Sequence, residues 1–248
     1  MSKSCFQYTF SIPFQKISDR YMQSSKDFWP KSISVEILET CKEGNLIFIR
    51  RKFEFENEGL PKFVKMFIKT NTSIFLEDCL LDKKKKNLTV IVRNGSFRQF
   101  FTLHGKSIYF PDPENQKTKT KLVDIGTIST SVSGIFANKI KNFGTDMYKE
   151  SVQNKILQVE NVLSGKKSTK LANEMDYLLI KSKNDELKIP KIDDKIPNSK
   201  CAQKLNVSVE KILETNQPKE KSEKQQENNS QTKEKSGFLS NLWKKFGF

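Results

Sequence analysis

The chain has 248 residues, of which 29% are charged and 10% aromatic, and its formal net charge at pH 7 is +15. This length suffices for one domain with a sizeable core and an additional segment. No stretch reaches the roughly 18 apolar residues that a membrane-spanning helix needs, and the first residues resemble a strand more than a signal or transit peptide. We therefore expect a soluble protein made without a cleaved leader.

The distribution of aromatic residues divides the chain in two. Most of the 19 phenylalanines precede residue 150, and no aromatic residue occurs between Tyr177 and Phe238. The stretch 216–237 consists mainly of Lys, Glu, Gln, Asn and Ser, which bury too little apolar surface to offset the entropy of ordering. We expect a folded domain over residues 1–165 and a largely disordered tail over residues 166–248.

Both parts are basic. The tail has 18 lysines against 12 acidic residues, a charge of +6, which leaves +9 for the folded part. Such an excess favours an anionic partner, whether a phospholipid surface, a nucleic acid or an acidic protein. A general bias toward lysine in the coding sequence is the alternative explanation, so charge alone does not identify the partner.

The cysteines are Cys5, Cys41, Cys79 and Cys201, and none of them forms a Cys-x-x-Cys pair. Three of them fall within alternating apolar patterns that are typical of strands. We interpret them as buried thiols rather than as a disulfide framework or a zinc site.

The first half of the chain alternates between short helices and strands. A strand is predicted over 4–12, followed by a helix over 13–23 whose apolar face holds Phe14, Ile17 and Tyr21. The next two strands, 33–39 and 46–55, pair across a turn that contains Gly44 and Asn45.

A short amphipathic segment, 60–69, then separates this hairpin from the next. Leu60-Pro61 places proline at the first helical position, with Phe63, Val64, Phe67 and Ile68 on one face. A helix this short depends on whatever it covers for its stability. Packing on the core as an amphipathic connector is one role that such a segment can have.

Strands follow over 73–81 and 88–94, joined by DKKKKN, whose lysines form either a solvated hairpin tip or an anion contact. Further strands are predicted over 98–104, 106–110 and 121–130. From Gly134 to Leu163 the apolar residues recur every three or four positions, which predicts a long amphipathic helix, interrupted at most gently at Gly144. The members of that apolar face are Phe136, Ile140, Phe143, Met147, Val152, Ile156, Val159 and Leu163.

This order of elements predicts an α+β fold in which a curved antiparallel sheet wraps around a long C-terminal helix. The sequence contains no phosphate-binding loop, nucleophile elbow or zinc-protease motif. His104, the single histidine, stands in a strand pattern, and the adjacent Glu77 and Asp78 would point to opposite faces. We expect no catalytic residues, no metal site, no cofactor and no enzymatic activity.

The run EDCLLDKKKKNLTVIVRN (77–94) resembles the signature of the PRELI/slowmo family of mitochondrial intermembrane-space phospholipid-transfer proteins. Upstream, GNLIFIR (44–50) is similar to the family's Gly-Asn-Leu-x-x-x-Arg motif, and LPKFVK (60–65) to its Leu-Pro-x-aromatic-x-Lys motif. The order and spacing of these motifs agree over roughly residues 3–163. In the signature, the matching positions are Glu77, Cys79, Leu81, Asp82, Leu88 and Arg93-Asn94.

The resemblance implies a START-like fold with an internal lipid cavity, covered by segment 60–69 as a lid. It also implies residence in the mitochondrial intermembrane space, with a small helical twin Cys-x9-Cys chaperone as a possible partner. A cytoplasmic location is the alternative. The lipid-binding residues that it implies are Lys62, Phe63, Lys65, Met66, Phe67, Lys149 and Lys155.

The chain departs from the family pattern at several basic positions. Ser24 replaces a pocket arginine, with Lys26 nearby, and residues 54–59 are acidic where the family is basic. Lys149 and Lys155 lie off the register of the family's Lys-x-x-x-Asn-x-x-Lys motif, which falls on Met147, Ser151 and Asn154. These departures favour a different headgroup, such as phosphatidylserine rather than phosphatidic acid, or a loss of transfer.

The last residues, 236–248, would form an amphipathic segment outside the resemblance. Trp and Phe beside Lys are typical of a helix at the interface of an anionic membrane, and folding back onto the domain is the alternative. The predicted membrane contacts are Leu242, Trp243 and Phe246.

Two hypotheses follow for function. The first is a non-enzymatic carrier that moves an anionic phospholipid, phosphatidic acid or phosphatidylserine, between mitochondrial membranes. The second is a basic interaction module that binds a membrane surface or nucleic acid without lipid transfer. Strand aromatics alternate with apolar residues more often than with lysines, so nucleic acid is the less favoured partner.

Overall fold

The computed structural model describes residues 2–23, 25–29, 31–57, 70–132, 134–164, 176–178, 199–207 and 211. The predicted α+β architecture is confirmed: a curved antiparallel sheet packs against one long helix. The strands are β1 (Ser2–Phe10), β2 (Ser32–Glu43), β3 (Leu46–Glu56), β4 (Thr72–Asp82), β5 (Asn87–Asn94), β6 (Phe101–Pro111), β7 (Thr120–Thr130) and β8 (Asp176–Leu178). The helices are α1 (Phe14–Gln23), α2 (Ile135–Ser164) and the single turn α3 (Lys200–Gln203), with 3₁₀ turns at Ser25–Phe28 and Lys204–Asn206.

The described strands form one sheet in the order β2-β3-β4-β5-β6-β7-β1-β8. Neighbouring strands from β2 to β7 are also consecutive in sequence, and β1 closes on β7. The predicted β2–β3 turn is confirmed, because Gly44 takes a positive φ of 56° that a side chain would disfavour. The sheet is therefore a meander from β2 to β7, and β1 pairs with the last strand of that meander.

Two elements differ from the sequence prediction. The predicted strands over 98–104 and 106–110 form the single strand β6, because Gly105 continues the ladder opposite Gly126 of β7. Beyond residue 165, where a largely disordered tail is expected, β8 pairs with β1 and residues 199–207 pack against the sheet. These two segments belong to the same compact unit as the sheet.

Helix α2 runs without a break through Gly144 and packs against β7, β1 and β6. Its apolar face is largely as predicted, since Val152, Ile156 and Val159 are at most 2% exposed. Phe136 differs, because it is 37% exposed at the start of the helix. No helix in the described ranges combines the length and apolar character needed to cross a membrane.

The sheet has two different faces. We call the side that carries Arg51, Glu77 and Cys79 the inner face, since it packs with α1 and α2 in the main apolar core. The outer face of β2–β5 carries Phe48, Leu80 and Ile91 and is covered by residues 199–207. Alternation along each strand sends successive side chains to opposite faces, so both sides of β3 and β4 are buried.

The interpretation of all four cysteines as thiols is wrong for one pair. Cys41 on β2 and Cys201 on α3 form a disulfide whose Cα atoms are 5.6 Å apart. The pair escaped prediction because 160 residues separate its members, a spacing that no short motif reveals. Cys5 and Cys79 are free and buried, as expected.

Candidate functional site

A cavity of about 350 Å³ lies between the inner face of the sheet and helix α2. This volume is within the range of roughly 300–1,000 Å³ that ligand pockets commonly have. Seven phenylalanines contribute to its lining, so most of the interior is apolar. The lining aromatic side chains are Phe28, Trp29, Phe53, Phe55, Phe75, Phe97, Phe101, Phe143 and Tyr148.

One wall of the cavity contains a buried ion pair between Arg51 and Glu77. Arg51 Nη1 donates to Glu77 Oε1 at 3.1 Å, and the two side chains are 2% and 1% exposed. The other carboxylate oxygen accepts hydrogen bonds from Tyr21 Oη at 2.8 Å and from Trp29 Nε1 at 3.0 Å. Arg51 Nη2 also donates to the carbonyls of Tyr21 and Met22. This network fixes the end of α1 and the cavity residue Trp29 to the sheet.

Burial beside this ion pair shifts the pKa values of the neighbouring groups. Burial, and then the charge of Glu77, raises the pKa of the Tyr21 phenol well above its ordinary value. Burial likewise raises the pKa of the Cys79 thiol, with Glu77 adding to the effect and Arg51 opposing it. Burial alone would lower the pKa of Arg51, but the nearby acidic groups raise it overall. Tyr21 and Cys79 therefore stay neutral, and Arg51 stays charged.

A second polar cluster lies where α2 crosses β6 and β7. Lys155 Nζ donates to Asp124 Oδ2 at 2.8 Å and to Ser107 Oγ at 2.7 Å, and Tyr148 Oη donates to Asp124 Oδ1. Lys155 is 4% exposed and Asp124 is not exposed at all. Burial opposes the charge of Lys155, yet the Asp124 carboxylate raises its pKa overall. The cluster is therefore a satisfied internal ion pair at the cavity wall.

A glycine makes the position of Tyr148 possible. A Cβ atom at Gly126 would overlap the ring of Tyr148, which crosses directly over this point of β7. The absence of a side chain there lets the phenol reach Asp124 on the same strand.

The rim of the cavity is polar. Its exposed members include Lys31 and Glu150, whose charged atoms are 4.0 Å apart. At the side of β3 and β4, Asn57 binds backbone groups of Thr70 and Asn71, and Ser73 Oγ donates to the Asn57 side chain. The residues that flank segment 58–69 are thus held together at the rim.

The structure brings one of the predicted lipid-binding residues to the cavity. Lys155 lines it, although its ammonium group is bound to Asp124. Lys149 lies on α2 but is not part of the lining. Lys62, Phe63, Lys65, Met66 and Phe67 lie outside the described residues, as do the predicted membrane contacts Leu242, Trp243 and Phe246.

The described motif residues make contacts that hold the strands and their connections together. Glu77 holds Arg51, and Asn94 closes the β5–β6 connection by donating to the Phe101 carbonyl and accepting from the Leu103 amide. On the outer face, Arg50 and Arg93 both bind Asp78. As predicted, Glu77 and Asp78 point to opposite faces, so they do not form one metal site.

Sequence reasoning missed Trp29 in the cavity lining, and Arg51 and Asp124 as the ion-pair partners of the lining residues Glu77 and Lys155. A charged residue inside an otherwise apolar strand is the signal that was present, because such residues are rarely buried without a partner. Arg51 lies within LIFIRRKFEF and Asp124 within KLVDIGTIST. The partner of each is distant in sequence, so the sequence alone does not pair them.

These observations define an α+β protein with an apolar pocket between a curved sheet and a long helix. A model of the PRELI-like family matches residues 15–169. Because this match spans more than half of the chain, the chain belongs to the PRELI-like family, and the resemblance noted in the motifs is confirmed. No curated protein matches the chain by sequence.

Several solved structures are similar in fold. TTHA0849 from Thermus thermophilus is 15% identical with a TM-score of 0.45, over 67% of this chain and 99% of its own. The Zhui aromatase/cyclase from Streptomyces sp. R1128 is 12% identical with a TM-score of 0.46, over 66% and 96%. CC1736 from Caulobacter crescentus is 11% identical with a TM-score of 0.42, over 66% and 97%.

Proposed function

We propose that this protein is a non-enzymatic phospholipid carrier, which takes one lipid into the cavity between sheet and helix and moves it between membranes. The observation that carries the proposal is the apolar, phenylalanine-lined cavity in a chain of the PRELI-like family. A polar rim around an apolar interior suits a ligand with a charged headgroup and hydrocarbon chains.

The energetics explain why a carrier is needed. Each methylene moved from an apolar environment into water costs about 0.8 kcal/mol, so a two-chain lipid leaves a bilayer very slowly without help. A cavity lined by aromatic side chains replaces the membrane interior around the chains. The protein then lowers the barrier to desorption without making or breaking covalent bonds.

For the ligand we propose an anionic phospholipid, phosphatidic acid or phosphatidylserine. The proposal is supported by the family membership and by the net charge of +15, which favours anionic membrane surfaces. Within the described lining, Lys155 is already neutralised by Asp124 and Lys31 faces Glu150. This pairing favours phosphatidylserine, whose headgroup also carries an ammonium group, over the more strongly anionic phosphatidic acid.

The location and partner are proposals that rest on the family alone. They are the mitochondrial intermembrane space, two mitochondrial membranes as donor and acceptor, and a twin Cys-x9-Cys helical chaperone. Coexpression with such a chaperone and fractionation of mitochondria are the direct tests of these two points.

The lipid proposal is tested by liposome transfer. Labelled phosphatidic acid, phosphatidylserine and phosphatidylcholine are offered separately to the intact chain and to two variants of α2. Ser151→Trp places a large side chain at the cavity lining, whereas Asp146→Trp places it on an exposed part of the same helix. We expect Ser151→Trp to reduce transfer several-fold and Asp146→Trp to leave it unchanged.

Two results would count against a carrier. The first is an intact chain that neither retains lipid after purification nor transfers any of the three lipids. The second is membrane or nucleic-acid binding that depends steeply on salt and is indifferent to Ser151→Trp, which is the behaviour of a basic interaction module.

A further inference from the structure

Residues 199–207 cover the outer face of the sheet, on the side opposite the cavity. Cys201, Ala202 and Leu205 are at most 5% exposed and pack on Phe48 and Leu80. The covered strand residues alternate with those of the inner face, so they are a separate apolar surface rather than part of the main core.

Polar contacts position this segment on the surface. Arg50 Nη2 donates to the Lys204 carbonyl at 2.7 Å, and Arg93 Nη1 donates to the Val207 carbonyl at 2.8 Å. The Lys204 ammonium group binds Glu39 on β2. Two strand arginines thus recognise backbone carbonyls of the segment, in the way that a protein surface binds a peptide.

Beneath these contacts lies a charge network that belongs to the sheet. Asp78 is fully buried and binds both Arg50 and Arg93. Arg50 also donates to Glu39 Oε2 at 2.9 Å. A non-obligate interface is on the whole about as apolar as the rest of a protein surface, so the mixture of charged and apolar side chains here fits a segment that can separate from the sheet. Water can hydrate the arginines and carboxylates if the segment leaves.

The disulfide between Cys41 and Cys201 locks the segment in place. Cys41 is half-buried on the edge strand β2, and Cys201 is not exposed. Cys79 faces the inner side of the sheet, and Cys5 lies on β1, which is separated from β2 in the strand order by five strands. Neither free thiol is therefore placed to exchange with this disulfide.

We propose that the outer face of β2–β5 is a docking surface for the chain's own segment 199–207, and that the Cys41–Cys201 disulfide is a lock that a dithiol reductant opens. The reductant's thiolate attacks the more accessible sulfur of Cys41, and Cys201 leaves as a thiolate that is then protonated. The second thiol of the reductant releases Cys41 as a thiol and closes the reductant's own disulfide. The segment is then held only by its non-covalent contacts.

Hydrogen exchange on the intact chain tests the proposal. The chain is first treated with a mild thiol oxidant, and its thiols are counted in denaturant: we expect two before reduction, Cys5 and Cys79, and four afterwards. On addition of dithiothreitol, amide exchange should become about tenfold faster or more in 199–207 and in the strand amides that it covers. Exchange in α1 and α2 should stay unchanged.

Two variants and one control variant distinguish release of the segment from a general loosening of the fold. Cys201→Ser should show the fast exchange without reductant and no response to it. In the reduced chain, Arg93→Met should speed exchange of 199–207 further, whereas Lys52→Met, which removes a more exposed ion pair with Glu36, should not. Four thiols after oxidant treatment would overturn the proposal. A segment that stays equally protected after reduction would overturn it as well, because 199–207 would then be a permanent part of the fold.

Discussion

The buried Arg51–Glu77 pair, which also binds Tyr21 and Trp29, allows a test of how much this network stabilises the fold. In Glu77→Gln the volume is preserved, but Arg51 keeps its buried charge without a counter-charge. Breaking a buried ion pair from one side costs about 3–5 kcal/mol. The glutamine can accept only some of the bonds from Tyr21, Trp29 and Arg51, so we expect a loss of about 3 kcal/mol or more.

A matched control is available on the surface of the same sheet. Glu36 pairs with Lys52 at 2.8 Å, but its side chain is 57% exposed, against 1% for Glu77. Glu36→Gln removes the same charge from an exposed pair and should lower the free energy of unfolding by less than about 1 kcal/mol.

Urea unfolding of Glu77→Gln, Glu36→Gln and the parent chain gives the loss in free energy of unfolding that each substitution causes. The expected loss for Glu77→Gln corresponds to a fall in melting temperature of about 6–12 °C. The double variant Arg51→Met with Glu77→Gln should recover part of the stability, because it removes the unpaired charge. Equal, small losses at Glu77 and Glu36 would refute the reasoning, since burial would then not decide the strength of these pairs.

Three other outcomes are expected. Gly126→Ala should cost about 1–3 kcal/mol in urea unfolding, because its methyl group displaces Tyr148; a loss near zero would mean that the ring moves freely. Because burial raises the pKa of Cys5 to about 11 from 9.0, its contribution to stability should be complete below pH 9 and fall as pH rises toward 11; Cys5→Ala should lack this part of the pH dependence. Phe67→Asp should reduce lipid transfer if segment 60–69 is a lid, whereas Ile37→Asp, at a residue 61% exposed on β2, should not; equal effects would argue against the lid.

Periodicity predicted the elements whose apolar residues face one side. Phe14, Ile17 and Tyr21 on α1 and Val152 and Val159 on α2 are buried as their spacing indicated. These residues contact the core through local geometry, so neighbouring sequence determines which way they face. The α+β fold could therefore be predicted almost strand by strand.

The polar part of the site could not be predicted in the same way. Lys155 binds Asp124, and Arg51 binds Glu77, over distances along the chain that no local pattern encodes. Lys155 was expected to contact lipid because the family resemblance placed a cation on this helix, but its partner on β7 is visible only in three dimensions. The same limit hid the Cys41–Cys201 disulfide.

The arginines of β3 and the acids of β4 stand directly opposite one another. Arg50 is the register partner of Asp78, and Arg51 of Glu77, with one ion pair on each face of the sheet. A slip of one residue would carry every side chain of the strand to the wrong face and leave buried charges without partners on both sides. The opposed dipeptides Arg50-Arg51 and Glu77-Asp78 therefore fix the register of β3 and β4.

Fixing the register by charge matters here because β3 and β4 are joined by residues 57–71 rather than by a tight turn. Short hairpin turns set strand register through their own geometry, which a connection of this length cannot do. Because the opposed charges fix the strand pairing, the connection does not have to set the register. We expect that changes in its length or sequence leave the register of β3 and β4 unshifted.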